Sequence, residues 1–238
     1  SERIRSNAEG VNTNGAGTAL PAGYNFIVAG DMNMQSSTQT SYVELVGSQA
    51  NNAGQFFDPI NTPGSWNNSA AFRFIHTQDP AAAGGGGMDD RHDQILISGS
   101  LRDAAGWHYI GSNSLSFSTS TWNDPNHTYR CWGNDGSTYN LALATPGNTM
   151  VGPAIAQALI NCATTAGGHL PVYADFRVPA KASVSSTTLN FGTVTQGSAA
   201  PQQVLTVTNT GDVARFGAYG FDTLNYNLPA ASGFSVPV

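Results

Sequence analysis

Three short stretches of this chain set polar groups against apolar runs: Ala29-Gly30-Asp31-Met32-Asn33, Arg91-His92-Asp93, and Gly168-His169-Leu170-Pro171-Val172. Strands carrying such ends, packed side by side, converge their polar groups on one rim of a sheet, a usual place for a site. The converging groups are two carboxylates (Asp31 and Asp93), one carboxamide (Asn33) and one imidazole (His169). An imidazole titrating near neutrality can take a proton from attacking water. A carboxylate on its other ring nitrogen fixes the tautomer and favours the positive charge that develops. Asp31 and Asn33 both offer oxygen ligands, to a divalent cation or to the water and donors around a phosphate. The set suits phosphoester hydrolysis.

Each group also has a plainer reading. Asp and Asn after a strand are common turn formers. A lone histidine is more often a hydrogen-bonded structural residue than a catalyst, and Asp93 can serve as a surface partner of Arg91. His76, His92, His108 and His127 lack ligand spacing and read as structural or surface residues. Trp107, Trp122 and Trp132 with neighbouring tyrosines can offer a stacking surface for bases or sugars, but rings scattered this irregularly favour core packing.

The elements that must position these groups follow from the apolar pattern. Residues 2–11 predict a short helix ended by Gly10, and 12–17 a polar loop. The compact run 24–30 predicts a buried central strand. Tyr42, Leu45 and Val46 stand at helical spacing in a helix over 40–46. Residues 47–87 hold little regular pattern, and a loop of that length is usually functional or disordered. Its glycine tract, 84–87, lacks the Gly-Lys-Ser/Thr of a P-loop and reads as a flexible connector. Strands are expected over 91–98, 107–110 and 169–176. A helix is expected over 151–162, with Val151, Ile155, Leu159 and Cys162 on one face and Pro153 in its first turn.

The three polar segments, in this order, resemble the endonuclease/exonuclease/phosphatase superfamily. Gly30-Asp31-Met32-Asn33 is similar to its Gly-Asp-x-Asn signature, Arg91-His92-Asp93-Gln94-Ile95-Leu96 to its Arg-x-Asp-x-Ile-Leu strand, and His169-Leu170-Pro171-Val172 to its closing Ser-Asp-His-x-Pro-Val segment. The resemblance covers roughly residues 1–178. It implies an α/β fold, part of a four-layer α/β sandwich. It also implies a metal-dependent phosphodiesterase, nuclease or phosphatase using Mg²⁺ (or Mn²⁺ or Ca²⁺), with a phosphodiester or phosphomonoester substrate that includes nucleic acid. His169 would then be the catalytic base, Asp93 its orienting carboxylate, and Asp31 and Asn33 the contacts to phosphate, water or metal. Asn134-Asp135-Gly136 resembles a stretch in secreted bacterial members. Two departures stand out. Gly168 occupies the place of an Asp that normally assists metal binding, and the residues that the family's first half supplies have no counterpart before Asp31. The chain is therefore expected to hold the second half of such a domain, and the alternative is a non-catalytic extracellular surface or adhesion protein that keeps a degraded enzyme domain as scaffold.

The pattern changes at 178–182. Beyond it, 183–190, 203–209 and 223–228 read as short strands separated by turns at Gly192, Gly197 and Asn209-Thr210-Gly211-Asp212. Leu189-Asn190-Phe191-Gly192-Thr193-Val194 and Val204-Leu205-Thr206-Val207-Thr208-Asn209-Thr210-Gly211 resemble bacterial Ig-like modules of the ASH/choice-of-anchor type. The stretch 183–238 is about half of the ~100 residues such a β-sandwich needs, so the second domain is expected to be incomplete.

Composition sets outer bounds. Only 10% of the 238 residues are charged, against about 25% in a typical soluble domain, and Asn, Ser, Thr and 27 Gly take their place. That leans toward an extracellular protein rich in turns and strands. The net charge of −6 argues against a broad basic surface for gripping nucleic acid, although a bound cation can supply positive charge locally. Cys131 and Cys162 are too few for a disulfide scaffold; one bond and two buried thiols are equally compatible with the sequence. No apolar run reaches membrane-spanning length.

Overall fold

The computed structural model describes residues 1–10, 24–103, 107–164, 168–177, 182–199 and 202–209. The chain divides into two compact units, Ser1–Pro179 and Ala180–Val238. Helices and antiparallel strands occur together, so the architecture is mixed α/β.

In the first unit the elements run α1 (Glu2–Ala8), β1 (Ile27–Asp31), α2 (Thr40–Val46), β2 (Phe56–Phe57), β3 (Asp93–Ser98), β4 (His108–Tyr109), β5 (Arg130–Cys131), α3 (Gly152–Cys162), β6 (Val172–Tyr173) and β7 (Phe176–Arg177). The sheet that matters for the site has the order β1-β3-β2, with both pairings antiparallel. Ile95, Leu96 and Ile97 are all buried. Successive residues of a strand point to opposite faces, so β3 is covered on both sides. Burying each of these side chains contributes about 1.5–3 kcal/mol, which makes β3 the fixed reference for its neighbours.

Among the described residues, the run expected to form a buried central strand is instead an edge: β1 pairs with β3 alone, and Ile27 is 42% exposed. The apolar run was a poor guide because partial cover suffices: Phe26 and Val28 pack on the main core while Ile27, Ala29 and Gly30 face outward.

Residues 47–87 also depart from expectation. Most of the backbone is irregular, yet Ile60, Trp66, Phe74 and Ile75 are core residues. Side chains hold the turns: Trp66 Nε1 donates to Thr62 O at 2.8 Å, and Asp79 accepts from the backbone of Ala81, Ala83 and Gly85. The glycine tract is thus tied to a buried carboxylate and is not a free connector.

Helix α1 ends where Gly10 adopts φ +77, as its glycine predicts. Arg5 docks it. Its buried guanidinium pairs with Glu9 at 2.9 Å and donates to Glu44 O, Asn51 O and Asn52 Oδ1, so it caps the C-terminal end of α2. Helix α2 occupies the expected residues, with Tyr42 and Leu45 inward. Helix α3 does too, but its buried face differs. Ala156 is fully buried with Val151, Leu159 and Ile160 against it, whereas Ile155 is 46% exposed and Cys162 is exposed. Ala156 stands four residues before Ile160 and three before Leu159, a face the bulkier Ile155 masked in the sequence. The strand expected over 169–176 is broken: β6 pairs with β5 and β7 with β4.

In the second unit β8 (Ala182–Val184) and β9 (Val207–Asn209) form one antiparallel ladder, shorter than the strands expected there. Gly192 and Gly197 take positive φ at the expected turns. The expected strand 223–228, the loop 12–17, the turn at 210–212 and most of the 178–182 junction lie outside the described residues.

Candidate functional site

The register of the β1–β3 ladder places Asp31 directly opposite Asp93. A third segment reaches them through Thr77. Its carbonyl accepts from Leu170 N at 2.8 Å, and its hydroxyl accepts from Asp93 N at 3.2 Å. An adjoining bridge pairs Gln78 with His169. The irregular 47–87 segment therefore joins the strand carrying Asp93 to the segment carrying His169.

His169 Nδ1 lies 2.7 Å from Asp93 Oδ2 and 3.9 Å from Asp31 Oδ2. The His169 and Asp93 side chains are mostly buried, at 18% and 15% exposure, while Asp31 is 48% exposed. The 2.7 Å contact is a charge-pair approach and not a formed hydrogen bond, and Asp93 Oδ2 is buried without a hydrogen-bond partner. Such contacts often align only when a site is loaded. Asn33 is exposed beside them and donates its backbone N–H to Asp31 Oδ1 at 2.8 Å, with φ +49. Asp31 and Asn33 do form a turn, and the same turn presents Asp31 to His169.

Arg91 takes no part in this ion pair. It is fully buried and binds Asp58 bidentately, at 2.7 and 2.9 Å, between the rings of Trp66 and Tyr129. Asp93 is therefore left to His169. Tyr129 OH donates to Asp93 O at 3.3 Å and holds the strand from behind.

His92 adjoins the site. Its ring centroid is 5.7 Å from that of His169, and its Nε2 lies 3.5 Å from Asp90 Oδ1. Burial alone would lower its pKa, but Asp90 first, then Asp31 and Asp93, outweigh that and raise it. Burial would raise Asp90, but His92 and Asn67 hold it below the usual carboxylate range. The sequence reading of His92 as structural or surface missed this neighbourhood. The available signal was its place directly before Asp93, within the strand start already singled out. His76 and His127 are structural: His76 faces the carbonyls of Trp66 and Met88, and His127 pairs with Asp124 at 2.9 Å.

Asn134 and Asp135 tie loops together. Asn134 Nδ2 donates to Arg73 O and His76 O, and Asp135 accepts from Thr149 and Ser137. Cys131 is buried, Cys162 is exposed, and the two are not bonded. Burial pushes the Cys131 thiol up to about 12, which keeps it a neutral core group.

A divalent cation fits these residues in a limited way. Among the described residues no three His, Cys, Asp or Glu side chains converge as a metal cage. The oxygen donors are the half-exposed Asp31, the exposed Asn33, and the unpartnered Asp93 Oδ2. That set suits a Mg²⁺-type ion, which keeps several waters and binds through one or two carboxylates plus substrate phosphate. Gly168 explains the missing acidic neighbour. A Cβ placed there would meet Ala163 Cβ at 2.4 Å and Ala163 O at 2.8 Å, so the packing against the end of α3 leaves no room for a side chain.

No protein-family model, curated protein or solved structure matches this chain.

Proposed function

We propose that the site acts on phosphoesters, with His169 as the base, Asp93 as its orienting carboxylate, and Asp31 and Asn33 toward the phosphate or a Mg²⁺-type ion. The observation that supports this most is the 2.7 Å approach of Asp93 Oδ2 to His169 Nδ1, with Asp31 Oδ2 at 3.9 Å from the same nitrogen. Three segments far apart in sequence meet there. With a carboxylate at Nδ1, the tautomer carrying its proton on Nδ1 is favoured, and Nε2 is left to accept a proton from water. Asp93 then stabilises the imidazolium that forms. A bound divalent ion would supply Lewis-acid charge stabilisation at the phosphate, with Asp31 and Asn33 as its protein donors. The finer fold under this reading is of the four-layer α/β sandwich type followed by an Ig-like module, in a secreted or cell-surface protein.

The test is hydrolysis of bis(p-nitrophenyl) phosphate by the full chain with Mg²⁺, Mn²⁺ or Ca²⁺, against a chelator control and His169→Ala. Metal-dependent release of nitrophenol that is lost in the variant supports the reading. Undiminished release by the variant refutes the role of His169. A second reading, a non-catalytic scaffold in an adhesion protein, draws support from Gly168, where the packing admits no acidic ligand. Absence of turnover with every metal would favour it.

A further inference from the structure

Away from His169, the first unit holds a half-open cleft of about 330 Å³. Helix α2, strand β2, the loop after β2 and the tight turn Gly99–Arg102 that follows β3 enclose it. Phe57, on its wall, pairs with Ile97 near the end of β3, whereas Asp93 begins that strand. At about 3.3 Å per residue the two positions are about 13 Å apart along β3, so the cleft is separate from the His169–Asp93 pair. Its volume falls at the lower end of the ~300–1,000 Å³ range of small-molecule pockets, which suits a ligand of monosaccharide size.

Arg102 supplies the positive charge on the wall of the cleft. Its guanidinium lies over the Phe57 ring, 4.2 Å from the centroid, and donates from Nη2 to Asn113 O at 3.2 Å. Asn113 Nδ2 returns a bond to Arg102 O at 3.0 Å. These contacts fix the plane of the guanidinium but occupy one of its five N–H donors. Among the described residues no carboxylate pairs with Arg102, and burial lowers its pKa with no anion to offset it. A guanidinium held flat on a ring presents its remaining N–H groups edge-on, which is the geometry that grips a carboxylate. The Asp58 carboxylate on the same wall is already satisfied by Arg91 and Tyr42. Ser37 Oγ accepts from Gly64 N at 2.9 Å and keeps its O–H to donate. Asn61 Nδ2 donates to Ser114 O at 2.8 Å, which leaves the side-chain carbonyl of this exposed residue to accept.

We propose that this cleft binds a small hydroxycarboxylate of the uronic-acid kind, with its carboxylate on Arg102 and a hydroxyl on the side-chain carbonyl of Asn61. A single unpaired cation matches a single negative charge. A phosphate dianion would find no second cation there and would face the carboxylate of Asp58, so the set favours a monoanion. Asn61 and Ser37 offer one acceptor and one donor, the pairing that a hydroxyl can use in both senses. Val46 and Pro63 give the apolar surface against which the carbon skeleton packs. The inference is independent of the phosphoesterase reading, since it uses none of that site's residues.

The measurement is a calorimetric titration of the full chain with D-glucuronate, with D-glucose and inorganic phosphate as comparison probes. The variants are Arg102→Gln, Asn61→Asp and His169→Ala. Wild type is expected to bind glucuronate, and to bind glucose, which lacks the carboxylate, about tenfold more weakly or less. Arg102→Gln removes the guanidinium and weakens glucuronate binding by about tenfold or more. Asn61→Asp sets a negative charge beside the ligand and weakens it similarly. Because Asn61 is exposed, that variant keeps Arg102 packed on Phe57 and decides the matter if Arg102→Gln does not fold. His169→Ala is expected to bind as wild type. Failure of wild type to bind glucuronate, equal binding of glucose, or unchanged binding by folded Arg102→Gln or by Asn61→Asp overturns the proposal. Weakened binding by His169→Ala overturns it too, because the ligand would then sit at the other site. Phosphate that binds as tightly as glucuronate overturns the carboxylate class.

Discussion

Asp31 and Asp93 are opposite partners in the β1–β3 register, and His169 Nδ1 lies within 4 Å of a carboxylate oxygen of each. Two carboxylates so placed repel one another unless a cation or imidazolium stands with them. Asp93 Oδ2 is the nearer of the two carboxylate oxygens to that nitrogen, so its negative charge faces the imidazole. Replacing Asp93 by Asn keeps the shape and removes that charge. We expect Asp93→Asn to lower kcat on an activated phosphodiester by about 10²–10⁴-fold, with little change in KM. Steady-state kinetics on the folded variant decide it, and an unchanged kcat would remove Asp93 from the mechanism.

The Arg91–Asp58 pair gives a prediction about stability rather than activity. Both groups are buried, at 0% and 6% side-chain exposure, and Tyr42 OH also donates to Asp58. Arg91→Met leaves the buried Asp58 carboxylate without its counterion, which costs about 3–5 kcal/mol. Urea unfolding should show a correspondingly lower midpoint. A loss under 1 kcal/mol would mean that Asp58 finds water or another donor.

Gly168 separates packing from ligand loss. Its Cβ position is already occupied by Ala163. Gly168→Asp, which supplies the acidic residue expected there, should therefore destabilise the first unit by about 1–3 kcal/mol through overpacking. It should not strengthen Mn²⁺ binding in a calorimetric titration. Tighter binding with undiminished stability would show that α3 moves aside.

Acid stability should turn on His76. Burial outweighs its two carbonyl contacts and lowers its pKa to about 4. A histidine depressed in the folded state stabilises above its unfolded pKa, near 6.5, and that contribution is lost as pH falls toward 4. The full span is worth about 3 kcal/mol, most of it between pH 6.5 and 4. Asp89 acts in the opposite sense: burial, then Asp90 and Asp79, push it up to about 6, so its contribution is present below about 4 and lost as pH rises through 6. Unfolding midpoints at pH 7 and pH 5 should differ less in His76→Gln than in wild type, and more in Asp89→Asn. Parallel pH dependence in all three proteins would exclude both groups.

Much of the local structure was legible without coordinates. Helix α2 follows from Tyr42, Leu45 and Val46 at helical spacing, and β3 from the run after Arg91. Asp31, Asp93 and His169 stood out because a polar group ended or began each apolar run. These are local signals, set by side-chain periodicity and by the backbone preferences of glycine and proline. Other features had no local signal. That β1 is an edge among the described residues depends on which distant strand pairs beside it. That residues 47–87 build core depends on distant partners for Ile60, Trp66 and Ile75. Thr77 links Asp93 to the His169 segment through bonds made across 16 residues in one direction and 93 in the other. Arg91 chose Asp58 over Asp93 because the buried rings of Trp66 and Tyr129 fix its guanidinium on that side. The sequence by itself determined which residue types stand at the strand ends and hence what chemistry they can perform. Tertiary structure alone decided which of them meet, since long-range pairing and burial choose a partner among residues that are locally equivalent.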